Sequence, residues 1–123
     1  PVYLAVKNEA LAASKAGMDA VFKKYRLDAV LYPTSPRPAT YIDPKKGRVP
    51  SDSPTNIANA TGYPDLIVPA GMTPEGLPVA ISFFGPAFSE AKLLGYGYDF
   101  EQATKAIRTP KHTPSLPSDV VRY

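Results

Sequence analysis

The sequence predicts an α/β fold, with a short mixed sheet of about three strands flanked by an N-terminal and a C-terminal helix. Apolar residues recur at helical spacing near both ends of the chain, and three short apolar runs lie between them, bounded by proline or glycine. These runs are apolar on both faces, as is typical of strands covered on both sides. Residues 1–123 are short enough to form one domain at most.

Composition excludes several classes of protein. The net charge of +3 is spread along the chain, and the basic cluster Lys45-Lys46-Gly47-Arg48 lies in a proline-bounded loop, so nucleic acid is not an expected partner. The absence of cysteine excludes disulfides and thiolate metal sites, and one histidine, His112, makes no metal site. No apolar run approaches the ~20 residues of a membrane span, so no membrane partner is expected.

The N-terminal helix is predicted from Val2 to about Arg26. Leu4, Leu11, Met18 and Tyr25 recur every seven residues, and charged side chains take the opposite face. This pattern is typical of a helix that covers a core, although a partner-binding helix would show it too.

The first strand is predicted over Asp28 to Tyr32 and ends at Pro33, because proline cannot donate to a ladder. Residues 34–54 follow as a long proline-rich loop with no periodicity. Loops of this length are uncommon inside compact domains and are usually functional or disordered. Its place directly after a strand makes it a candidate wall of a binding pocket.

A hairpin is predicted next. One or two helical turns from Thr55 to Thr61 end at Gly62, and strands over Asp65–Ala70 and Pro78–Phe84 follow. Between these strands, Thr73-Pro74-Glu75-Gly76 fits a type I turn.

The C-terminal helix is predicted to open at Ser89 as N-cap, with Phe88 packed onto Leu93 as a hydrophobic staple. Its buried stripe is expected to be Leu93, Tyr96, Phe100, Ala103 and Ile107. Pro110 should end the helix, and residues 109–123 form a proline-rich tail. Gly95 and Gly97 favour close approach to a neighbouring element.

The hairpin region carries a family pattern. It reads Asn-x-x-Gly-x-Pro, an apolar strand, Pro-x-Gly, then Gly-Leu-Pro and a second strand, formed by Asn59, Gly62, Pro64, Pro69, Gly71, Gly76, Leu77 and Pro78. This pattern resembles the C-terminal end of the amidase signature family, whose enzymes cleave or transfer carboxamides. The resemblance covers roughly residues 17–110 and implies that the chain is the last slice of a larger sheet.

The resemblance implies Ser-Ser-Lys chemistry, with the serines in a Gly/Ser-rich stretch. This sequence has no such stretch, since its eight glycines are scattered. We therefore interpret the chain as a C-terminal fragment of a carboxamide-hydrolysing enzyme without its catalytic residues. The expected partners are the remainder of the amidase domain and a small carboxamide, with no cofactor and a cytoplasmic location.

Five residues are candidates for substrate binding. Thr34, Ser35 and Pro36 follow the end of the first strand, where ligands of open α/β sheets gather. Asp52 and Thr55 correspond to positions where the family brings polar groups toward its substrate. Solvated loop positions remain the alternative for all five. The third strand departs from the family pattern, with Ala80 and Ser82 in place of a glycine and a glutamine.

A rival interpretation is a non-catalytic binding or assembly module derived from the amidase fold. Under the fragment interpretation the isolated chain is expected to form a homo-oligomer, because two apolar sheet faces and an open sheet edge need cover. A well-folded monomer would instead favour the module.

Overall fold

The computed structural model describes residues 2–40, 43–45, 54 and 56–109. Its elements, in chain order, are α1 (Val2–Tyr25), β1 (Val30–Pro33), α2 (Asn56–Thr61), β2 (Asp65–Met72), β3 (Pro78–Phe84) and α3 (Glu90–Thr104). The predicted three strands, hairpin and flanking helices are confirmed. None of the helices in these ranges is both long and apolar enough to span a membrane.

The sheet is antiparallel throughout its described strands, whereas a mixed sheet was predicted. The strand order is β1-β3-β2, and both outer strands pair antiparallel with β3. β1 and β2 run in the same direction, but they are not hydrogen-bonded neighbours because β3 lies between them. Because β3 lies between β1 and β2, these two strands cannot form the parallel pair that a mixed sheet would contain.

One face of the sheet is covered by α3. Val68, Phe83 and Leu93 form the buried cluster, and Leu66, Ile81 and the aromatic rings of α3 surround it. Phe83 meets Phe100 edge-on, with ring centroids 5.9 Å apart. Gly97 is buried against β2, where an added Cβ would lie 2.5 Å from Leu66 Cδ2. The close approach predicted from the helix glycines is thus found at Gly97, while Gly95 faces open space.

The opposite face is covered only at one end. Phe84, which is 1% exposed, contacts Phe22 of α1 and Tyr63, with centroids 5.8 and 6.3 Å away. α1 packs mainly on α2, and of its residues only Phe22 is buried. Leu4 and Tyr25, predicted on the buried side of this helix, are exposed because α1 touches the sheet only near its C-terminal end.

The turns follow the predicted chemistry at two glycines. Gly76 has φ +84° and donates its N–H to Thr73 O at 2.9 Å, closing the hairpin turn. Gly62, with φ +67°, ends α2 and donates to Ala58 O. Both positions lie in the left-handed region that glycine adopts without steric cost.

The ends of α3 differ from the prediction. Phe88 has φ +60° and is 95% exposed, so it makes no staple with the buried Leu93. Ser89 occupies the N-cap position, but its hydroxyl donates to Pro86 O at 2.7 Å instead of capping the helix. The tight turn after Gly85 imposes both changes, because it directs the Phe88 side chain into solvent.

The helix also ends earlier than predicted. Lys105, with φ +47°, caps it by donating its N–H to Glu101 O at 2.8 Å. Ile107, assigned to the buried stripe, lies beyond this end and is exposed. Ala103, which is still within α3, is exposed as well. The proline-rich tail lies outside the described residues except for Thr109, and residues 41–42 and 46–53 of the 34–54 loop do so as well.

Both outer strands carry a proline at an outward-facing backbone position. Thr34 and Pro64 direct their backbone groups to β3, through Thr34 N–H to Ala80 O and Gly85 N–H to Pro64 O. Because these groups alternate along a strand, Pro33 and Pro69 face away from β3. A strand added at either edge would find no N–H donor at these positions.

We expect the two glycines of α3 to respond oppositely to alanine. Gly95→Ala should raise the free energy of unfolding by ~0.5 to 1 kcal/mol through helix propensity, because nothing lies near its Cβ. Gly97→Ala should lower it by ~1 to 2 kcal/mol through overpacking against Leu66 and Val68. Denaturant titration measures both values, and equal shifts of the same sign would contradict the packing.

The isolated chain is expected to self-associate through its faces, since prolines interrupt both edges. Large apolar side chains remain exposed on the sheet and on α3, namely Leu31, Ile67, Leu94 and Tyr98. Sedimentation equilibrium should give a mass above 13.2 kDa that falls on dilution. A monomer at every concentration would contradict this prediction.

Candidate functional site

The carboxyl ends of β1 and β2 lie at the same end of the sheet, beside the β2–β3 turn. Thr34 follows β1 directly and is held to β3 twice. Its N–H donates to Ala80 O at 3.1 Å, and its Oγ1 lies 2.8 Å from Ser82 Oγ. Ser82 is fully buried in the central strand. The first residue of the long loop is thus anchored to the middle of the sheet.

Two further side chains extend this contact across the sheet. Tyr32 lies opposite Ser82 in the strand register, and its hydroxyl donates to Asp65 Oδ2 on β2. Thr34, Ser82, Tyr32 and Asp65 therefore form one set of neighbouring polar side chains, here called the hydroxyl relay. It involves all three strands and lies on the face opposite α3.

Burial and hydrogen bonding keep the Tyr32 phenol protonated. Burial, and then the hydrogen bond to Asp65, raise the pKa of Tyr32 from its ordinary 10.0 to about 12. Both causes favour the neutral phenol over the phenolate. Tyr32 therefore remains a hydrogen-bond donor across the physiological range.

The other predicted substrate residues are placed differently. Ser35 is exposed and donates its hydroxyl to Arg37 O at 2.7 Å, and Pro36 is exposed. Asp52 and Thr55 lie outside the described residues. Of the three candidates that lie within the described residues, Thr34 is the one that contacts a set of polar side chains.

Sequence reasoning missed Tyr32 and Asp65, and it treated Ser82 only as a departure from the family pattern. A signal for them was present, because polar side chains at alternate positions of apolar strands share one face. Tyr32 and Thr34 are two residues apart, and Asp65 opens the next apolar run. Which strands pair was the missing information.

The turn at Gly62 is held by Thr61. Its hydroxyl donates to Ile57 O at 2.8 Å and accepts from Tyr63 N–H at 3.2 Å. Asn59, which belongs to the family pattern, is exposed.

Other features of this region are shallow or structural. A surface groove of about 460 Å³ lies at the hairpin turn, lined by Met72 to Gly76 with Arg108 and Thr109. Asp28 accepts a hydrogen bond from Lys92 at 2.7 Å, and this contact lowers the pKa of Asp28 and raises that of Lys92. Exposed ion pairs of this kind contribute little stability. Across the described ranges, no cluster of three carboxylate or imidazole side chains could hold a metal ion.

The serine hydroxyls in the described ranges are engaged in hydrogen bonds that do not involve a base. Ser14, Ser35 and Ser89 donate to backbone carbonyls, and Ser82 is paired with Thr34. An activated serine needs a base within hydrogen-bond reach of its oxygen.

Comparison with known proteins identifies what this arrangement is similar to. The family model described as Amidase matches residues 2–94. A glutamyl-tRNA(Gln) amidotransferase subunit of Desulforudis audaxviator is 41% identical over 99 residues, covering 76% of this chain and 19% of that protein. The indoleacetamide hydrolase of Agrobacterium vitis is 35% identical over 92 residues, which cover 67% of this chain and 20% of that protein.

Solved structures agree with the sequence comparison. The native peptide amidase of Stenotrophomonas maltophilia superposes with a TM-score of 0.73 and 35% identity, over 89% of this chain and 22% of that chain. The chain spans about a fifth of the length of the curated relatives it matches.

We expect Tyr32 to ionise late in an alkaline titration. The difference in phenolate absorbance between the wild type and Tyr32→Phe should have its midpoint near pH 12. Because the pKa is raised, this group's contribution to stability is complete below about pH 10 and is lost as the pH rises toward 12. Circular dichroism at each pH controls for unfolding, and a midpoint near 10 in the folded protein would contradict the burial of this phenol.

Proposed function

The chain belongs to the amidase family, and from this membership we propose that it is the C-terminal part of an enzyme that hydrolyses a carboxamide C–N bond. Its role is to complete the sheet and to contribute one wall of the substrate pocket. The serines and the lysine of the family's chemistry lie, in this proposal, in the part of the domain outside this chain.

One observation carries the proposal. Nearly the whole chain superposes on the peptide amidase at 35% identity, yet it accounts for 22% of that chain. Its fold is therefore one region of a larger domain. The relatives are named as a peptide amidase, an indoleacetamide hydrolase and part of a glutamyl-tRNA(Gln) amidotransferase, and all three names concern amide bonds.

The proposed pocket wall begins at the carboxyl end of β1. Thr34 is fixed there by the hydroxyl relay, and Ser35 and Pro36 follow it on the exposed side. Asp52 and Thr55, later in the same connection, remain proposed contacts to the substrate. Amide hydrolysis requires a nucleophile, a proton for the departing amine and donors for the carbonyl oxygen. The wall supplies none of these groups and instead orients the substrate.

The second candidate is a binding or assembly module that keeps this fold without catalysis. It is favoured by the bonding of the described serines, none of which contacts a base. The two candidates differ in the natural gene product that contains this sequence. A product several times heavier than 13.2 kDa would favour the enzyme, and one near that mass would favour the module.

We expect the natural gene product to release ammonia from a peptide amide, an aryl acetamide or glutamine. Replacing serine with alanine in a Gly/Ser-rich stretch upstream of this chain should abolish that release, because the nucleophile is lost. The purified 123-residue chain should release none. Ammonia release by this chain alone, abolished by a serine-to-alanine change within it, would contradict the proposal.

A further inference from the structure

The hydroxyl relay joins the end of β1 to both other strands. Tyr32 donates to Asp65 Oδ2 on β2, and two residues later Thr34 Oγ1 lies 2.8 Å from Ser82 Oγ on β3. Ser82 is the cross-strand partner of Tyr32, so the two contacts lie side by side on one face of the sheet.

The carboxylate end of the relay depends on Tyr32. Asp65 Oδ1 is buried and has no hydrogen-bond partner within the ranges described. A buried acceptor without a donor costs free energy, so the bond to Oδ2 is the compensation that the structure provides. Tyr32 and Thr34 lie two residues apart at the end of β1, so loss of the Tyr32–Asp65 hydrogen bond loosens the same strand end that carries Thr34.

The other end of the relay meets the proposed pocket. Thr34 directly follows β1 and is bonded to β3. The long connection to α2 starts at this residue. Outward from Thr34 the side chains of Ser35 and Pro36 are exposed. Whatever fixes Thr34 therefore fixes the angle at which this connection leaves the sheet.

We propose that Tyr32, Ser82 and Asp65 are positioning residues that, through the hydroxyl relay, hold the carboxyl end of β1 in the geometry that binds the carboxamide substrate. This inference rests on the proposed function. It assigns the three residues a role in substrate affinity, although none of them touches the reacting atoms. Their loss should therefore raise KM and leave kcat nearly unchanged.

The chain offers a matched control. Tyr63 also donates its hydroxyl to an aspartate, Asp19 Oδ1, at 2.6 Å, but this contact joins α1 to the segment before β2 and lies outside the relay. Tyr32→Phe and Tyr63→Phe each remove one phenolic oxygen and one hydrogen bond to a carboxylate. Only the first should act on Thr34.

The experiment uses the natural gene product that contains this chain, with Tyr32→Phe, Ser82→Ala, the double variant and Tyr63→Phe. Hydrogen exchange by mass spectrometry follows the peptide from Thr34 to Thr40, and steady-state kinetics follow ammonia release from a peptide amide. Tyr32→Phe and Ser82→Ala should each speed exchange in this peptide and raise KM about three- to tenfold, as expected for one lost hydrogen bond. The double variant should fall short of the product of the two effects, because the residues act as one unit.

Each result decides a separate claim. Unchanged exchange in Tyr32→Phe, or an equal change in Tyr63→Phe, overturns the relay whatever the activity. Faster exchange with unchanged KM overturns its link to the pocket. A wild type that releases no ammonia from any carboxamide contradicts the proposed function and the pocket claim, while the exchange data still test the relay. A fall in kcat at constant KM would overturn the positioning role.

Discussion

The rest of this structure depends on the central position of β3. Two adjacent residues of this strand, Phe83 and Phe84, project to opposite faces of the sheet. Phe83 packs against α3, and Phe84 packs against Phe22 and Tyr63. One strand thus carries the anchors of both helical layers, and it also pairs with both other strands.

This placement explains why the two layers are unequal. On the α3 side, a glycine on the helix lets β2 approach closely, and the buried cluster runs along the strands. On the other side, Phe22 is the residue of α1 that is buried against the sheet. Toward the carboxyl end of β1 this face carries the polar side chains of Tyr32, Ser82 and Thr34. A face that combines hydroxyls with an exposed isoleucine is suited to contact a further layer of protein.

Local sequence was sufficient to predict most of the elements. The hairpin could be predicted because Pro74 and Gly76 select its turn, and the end of α2 because Gly62 accepts a left-handed conformation. Phe88 could not be placed, because its conformation is imposed by a turn in which Gly85 packs against Leu93. The spacing of apolar residues along the sequence does not report such a packing contact.

The candidate site was predictable only in part for a related reason. Thr34 was found because strand ends collect ligands, which is a rule about position along the chain. Tyr32, Ser82 and Asp65 come together because β3 inserts between two strands that precede it, and no local pattern reports that insertion. Placing them required the pairing of Tyr32 with Ser82 across the sheet.

The insertion of β3 also sets the order in which the chain can fold. During synthesis β1 emerges first, but its only pairing partner among the described strands is β3, the last of them to be made. β2 and β3 are joined by a tight turn and can pair at once, whereas β1 must close a long loop. Until then β1 has no pairing partner among the described strands. Within this part of the protein, β1 therefore stays unpaired until β3 has left the ribosome.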